Sequence, residues 1–198
     1  MNALASFVIS LLFTLVCMAV PWWVRSVKTW LIAFVFAVCL ILWGLGAAFS
    51  LGWYPWTSVI DVIVAMGAGA LLGRVIPARF WPFFVFLITM SALDTAQVML
   101  TIHTSTSSLH SARTPAGELY SNVILYLPWG KYGIGPFDLI MLVTIATNWR
   151  RRGGRYLVVF LGAALGIAIA YGVLIVKPGI TLALIPFLML GWLISVAV

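Results

Sequence analysis

A chain of 198 residues that is 64% hydrophobic and only 8% charged, with a mean hydropathy of +1.18, lacks the polar surface to cover a water-soluble domain. Its net charge of +7 does not point to nucleic acid, because the basic residues stand at the ends of apolar runs, where topology signals are placed. A soluble enzyme and a nucleic-acid partner are thereby excluded, and an all-α, polytopic protein integral to the lipid bilayer is expected.

Measured against the ~20 residues that cross a bilayer core of ~30 Å, the apolar runs give seven spans, at 4–20, 30–51, 58–73, 81–102, 134–149, 156–176 and 179–197. The third and fifth are short. The first has neither a basic leader nor a small-residue cleavage site after it, so it reads as a helix and not as a signal peptide. Cys17 and Cys39 lie within apolar runs, where thiols behave as small hydrophobes. Trp22, Trp23, Trp30, Trp53, Trp56, Trp81, Trp129 and Trp149 fall mostly at span ends, where an indole suits the headgroup region.

The connections give an orientation. Arg25 and Lys28 follow the first span, Arg74 and Arg79 the third, and Arg150, Arg151, Arg152 and Arg155 the fifth, whereas the intervening loops lack such clusters. Cytoplasmic loops carry the Lys and Arg excess, so the amino terminus is expected outside and the carboxyl terminus inside. The segment 103–133 becomes an outside loop, rich in Ser and Thr in its first part and apolar over Val123–Gly130, a piece too short to span. The whole chain, 1–198, reads as one membrane domain, with 1–76 as supporting helices and 77–198 as a four-helix core.

Three acids lie within spans, and an ionisable group at the centre of a membrane helix costs about 2.5–3.5 kcal/mol on translocon scales, which makes each a functional candidate. Asp61 follows Ser58 at capping-box spacing and reads as a first-turn acid facing open backbone N–H groups. Asp138 follows Pro136, which suits a first helical position, and so has a similar structural reading. Asp94 has neither cap pattern nor basic neighbour within helical reach. A carboxyl buried without a counter-ion is costly as an anion, which suits a general acid. Two carboxyls close together share a proton, so one activates a water while the other protonates a carbonyl oxygen, a route to amide hydrolysis without metal or cofactor. His103, His110 and Glu118 are spaced for no tight metal site, and no Gly-x-Ser-x-Gly elbow is present.

These residues resemble the presenilin and signal-peptide-peptidase group of intramembrane aspartyl proteases, and its archaeal-type members in particular. In that group the first catalytic Asp opens a run Asp-x-x-x-Val-x-x-Thr-x-His, and Asp94, Val98, Thr101 and His103 stand at those offsets. The second belongs to a Gly-x-Gly-Asp motif; here Gly133, Gly135 and Asp138 are its counterparts, with Pro136-Phe137 inserted, 44 residues after Asp94. A Pro-Ala-Leu motif opens the family's last helix, for which Lys177-Pro178-Gly179-Ile180 is the loose counterpart.

The resemblance covers roughly residues 81–198 and implies a catalytic pair Asp94 and Asp138. It also implies substrate-facing backbone at Gly133, Gly135, Pro178 and Gly179, with Pro178 and Pro186 loosening the last helix. The implied substrates are single-span segments or signal peptides, in a prokaryotic cell membrane. The expected orientation matches that of signal peptide peptidases. The competing readings are a proton- or cation-coupled transporter or channel using the same aspartates, and a non-catalytic membrane scaffold.

Overall fold

Long apolar runs without internal breakers fold as helices because only intrasegment hydrogen bonds satisfy a backbone away from water. A computed structural model of the chain describes residues 3–48, 56–108, 136–176 and 183–197, and the structural statements below concern these. They form α1 (Ala3–Trp23), α2 (Thr29–Ala48), α3 (Trp56–Val75), α4 (Phe80–Ser108), α5 (Pro136–Arg151), α6 (Tyr156–Val176) and α7 (Ile185–Ala197), with no strand. Stretches of α2, α4 and α6, over Thr29–Gly46, Phe80–Met99 and Tyr156–Val173, are long and apolar enough to cross a membrane; α3 and α7 hold shorter apolar stretches.

Two boundaries differ from the sequence reading. Nothing breaks the helix between Phe83 and Ser108, so α4 runs six residues past Ile102 and takes in the start of the segment read as a loop. At α3, Trp56 and Thr57 carry no constraint against helix, so it starts ahead of Ser58. Asp61 is therefore in the second turn, not the first, and the capping-box reading does not hold.

The centre is α5. Leu139 and every residue from Met141 to Asn148 are buried, polar Thr144, Thr147 and Asn148 among them. A helix walled in by α1, α3 and α6 need not match the bilayer in length or apolar character, which is why 16 residues suffice here. By contrast α2 packs mainly on α3 and exposes Phe34, Val38 and Ile41, the pattern of a lipid-facing helix.

Two spacings of small residues bring backbones together. Gly69 and Gly73 of α3 face α5, where a Cβ at Gly69 would come within 2.6 Å of the Ile140 carbonyl oxygen and one at Gly73 within 2.5 Å of Thr147 Cβ. The Thr144 hydroxyl donates to the Ile140 carbonyl of its own helix at 2.7 Å and lies 3.2 Å from the Gly69 carbonyl across this approach. Gly162 and Gly166 of α6 likewise face α7, where Gly191 and Ser195 meet Gly162 and the Phe187 backbone meets Gly166. Such crossings gain close van der Waals contact where lipid tails supply no hydrophobic drive.

The three basic connections meet at one end. Arg74 donates to the carbonyls of Val24 and Val27 and to Thr29 Oγ1 at 2.7 Å, and Arg150 donates to Pro21 O. Arg151 closes the carbonyl end of α3 through Gly73, Arg74 and Ile76. Arg152 donates to Asn148 Oδ1 and to Arg79 O, and lies over the rings of Phe83 and Trp192 at 5.5 and 5.4 Å. Trp23, Trp30 and Trp81 are exposed at this end, as anchors should be. Trp192 instead is buried against Phe80 and Phe83.

Candidate functional site

Asp94 lies in the middle of α4, on a helix that makes its main contacts with α7. Its neighbour Leu93 is turned outward, and Ser91, one turn back, is buried with its hydroxyl toward Met189 Sδ at 3.8 Å. The Asp94 carboxyl faces the open amino end of α7. Its Oδ2 accepts the Ile185 N–H at 3.0 Å.

A helix start leaves N–H groups without intrahelical partners. The segment before α7, Ala183-Leu184, offers no Ser, Thr, Asp or Asn to cap it locally. Asp94 supplies that cap from another helix, and the arrangement offsets part of the cost of placing a carboxyl in an apolar bundle. Pro186, read from the sequence as loosening the last helix, stands in the first turn of α7, where its missing N–H costs nothing. It begins the helix.

Asp138 lies in the first turn of α5, opened by Pro136 as the spacing predicts, and its side chain is half-buried. The levels of the two acids follow from the far ends of their helices. Asn148 and Arg152 reach the carbonyls of Pro77 and Arg79, so the carboxyl end of α5 and the amino end of α4 share a level. From there Asp94 is 14 residues along α4 from Phe80, about 21 Å, and Asp138 is 13 residues back along α5 from Arg151, about 20 Å. Counted along their own helices, both acids thus lie about 20 Å from that end, and α7 packs against α4 and touches α5.

Gly133, Gly135, Pro178 and Gly179 lie outside the described residues, as do His110 and Glu118. Asp61 is on α3, and its side chain is not among those described. Among the described residues no group of three His, Cys, Asp or Glu side chains is arranged to hold a metal ion.

Sequence reasoning missed the segment Ala183-Leu184-Ile185-Pro186, which is what meets Asp94. No residue type there marked it, because what meets Asp94 is a backbone N–H, which every residue but proline carries. The chain matches no family model, no curated protein and no solved structure.

Proposed function

We propose that this chain is a multi-pass intramembrane aspartyl protease that hydrolyses peptide bonds within single-span segments or signal peptides, with Asp94 and Asp138 as its catalytic pair. The observation that carries the reading is the seat of the Asp94 carboxyl on the Ile185 N–H at the start of the last helix. It joins the first acid to the start of the last helix, and the second acid lies a similar distance along its own helix from the shared basic end.

In this reading one carboxylate takes a proton from a water whose oxygen attacks the scissile carbonyl carbon. The other carboxyl gives its proton to the carbonyl oxygen. The tetrahedral diol then collapses, the C–N bond breaks and the amine leaves with a proton returned from the pair. Cost and use coincide: a carboxyl in the apolar bundle is costly for stability, and that same setting is what lets two acids share one proton.

All seven helices are read as spans, with the basic end on the cytoplasmic side of a prokaryotic cell membrane, the amino terminus outside and the carboxyl terminus inside. The convergence of eight of the eleven Lys and Arg residues at one end supports that orientation.

The test is cleavage of a single-span reporter peptide by purified protein in bilayers, comparing wild type with Asp94→Asn and Asp138→Asn. Both variants are expected to lose cleavage while retaining their helical circular dichroism. A wild type that cleaves nothing across pH and peptides, or either variant cleaving normally, overturns the reading. Proton flux that depends on the same aspartates would favour the transporter instead.

A further inference from the structure

The basic end and the lipid-facing side of the bundle meet at one corner. Between α1, α2 and α3 runs an open groove of about 270 Å³, lined by apolar side chains that include Val24, Val27, Val35, Phe36, Ile63 and Met66. Its floor on α3 extends from Ala70 to Ile63, seven residues or about 10 Å. Open along one side and apolar throughout its lining, the groove admits an extended apolar chain.

One end of the groove, at Val24 and Val27, is the place where the Arg74 guanidinium sits on those two residues' carbonyls. Arg25 and Lys28 flank it in the same turn with exposed side chains, and Arg150 reaches Pro21 from α5. The described carboxyls stand elsewhere: Asp94 on the head of α7, and Asp138 about 20 Å away at the far end of α5. The corner thus combines an apolar slot with a cluster of cations that face no described carboxylate. A basic cluster at the edge of an apolar helix is the arrangement that recognises anionic headgroups.

We propose that this corner holds one anionic phospholipid, an acyl chain in the α1–α2–α3 groove and the phosphate against Arg25, Lys28 and Arg74. The site is independent of the aspartates. Arg74 is already committed to backbone carbonyls and fixes the geometry, while Arg25 and Lys28 supply the charge that a lipid neutralises.

The experiment uses the full chain in mild detergent and measures retention of phosphatidylglycerol against phosphatidylcholine of the same acyl composition by native mass spectrometry. Wild type is expected to keep phosphatidylglycerol roughly tenfold more strongly. The variant carrying Arg25→Gln and Lys28→Gln should lose that preference. Val35→Trp, at a half-exposed position that lines the groove, removes no charge but fills the slot, and should also bring phosphatidylglycerol down to the level of phosphatidylcholine. Equal retention of the two lipids by wild type overturns the proposal. So does undiminished phosphatidylglycerol binding by Val35→Trp, since the charged rim alone would then be holding lipid without the groove.

Discussion

Asp94 Oδ2 accepts the backbone N–H of Ile185 at 3.0 Å, so an acid from the middle of α4 closes the open end of α7, 91 residues further along the chain. This one contact ties the stability of the last helix to a residue read as catalytic. Asp94→Asn keeps an oxygen acceptor but loses the charge that a helix start favours, whereas Asp94→Ala leaves the Ile185 N–H open. The expected order of thermal stability in detergent is wild type, then Asn, then Ala, with Ala lower by about 1–2 kcal/mol. Equal stability of all three would mean that the cap contributes nothing.

The crossing of α6 and α7 should tolerate no side chain. A Cβ at Gly162 would stand within 2.3 Å of the Gly191 carbonyl oxygen, and one at Gly191 within 2.1 Å of the Gly162 carbonyl oxygen, and backbone cannot swing aside as a side-chain end does. Gly162→Leu and Gly191→Leu are each expected to destabilise by roughly 2 kcal/mol or more, in the range of overpacked cores. Gly44→Ala is the control. Nothing lies within 4 Å of a Cβ there, and the change should be neutral or stabilising by up to about 1 kcal/mol through helix propensity. Thermal unfolding of the three variants checks both directions.

Arg152 should resist replacement by lysine while Arg155 accepts it. The Arg152 guanidinium makes two hydrogen bonds, to Asn148 Oδ1 at 3.0 Å and Arg79 O at 2.8 Å, and lies over two aromatic rings. A lysine ammonium cannot reproduce that planar fork. Arg152→Lys is expected to cost about 1–2 kcal/mol, and Arg155→Lys, at an exposed position, less than about 0.5 kcal/mol. Equal effects at the two positions would show that only charge matters at the basic end.

The helices were legible because length and apolar content decide them: the run read as 30–51 is α2 at Thr29–Ala48, and that read as 156–176 is α6. The central place of α5 had a weaker signal, its Thr144, Thr147 and Asn148, which are costly facing lipid and are accommodated inside. Asp94 stood out by its setting, but its partner did not. A backbone N–H belongs to every residue except proline, and only the fold decides which helix start comes within 3.0 Å of a given carboxyl. The pairs Gly69/Gly73 and Gly162/Gly166 were visible as spacing. Which helix each would face depends on tertiary packing that spacing does not encode.

The proposal that Asp94 and Asp138 act as one pair is tested most directly by their separation. In a Cys17→Ala, Cys39→Ala background, Asp94→Cys and Asp138→Cys are combined, treated in bilayers with a short bifunctional methanethiosulfonate, and the linked peptide is sought by mass spectrometry. Asp94→Cys with Leu184→Cys serves as the reference pair. Two aspartates that share a proton hold their Cα atoms within about 10 Å, beyond the reach of some direct disulfides but within that of this reagent, and the account predicts that both pairs link. A reference pair that links while Asp94→Cys and Asp138→Cys stay unlinked would separate the two acids and contradict a shared proton.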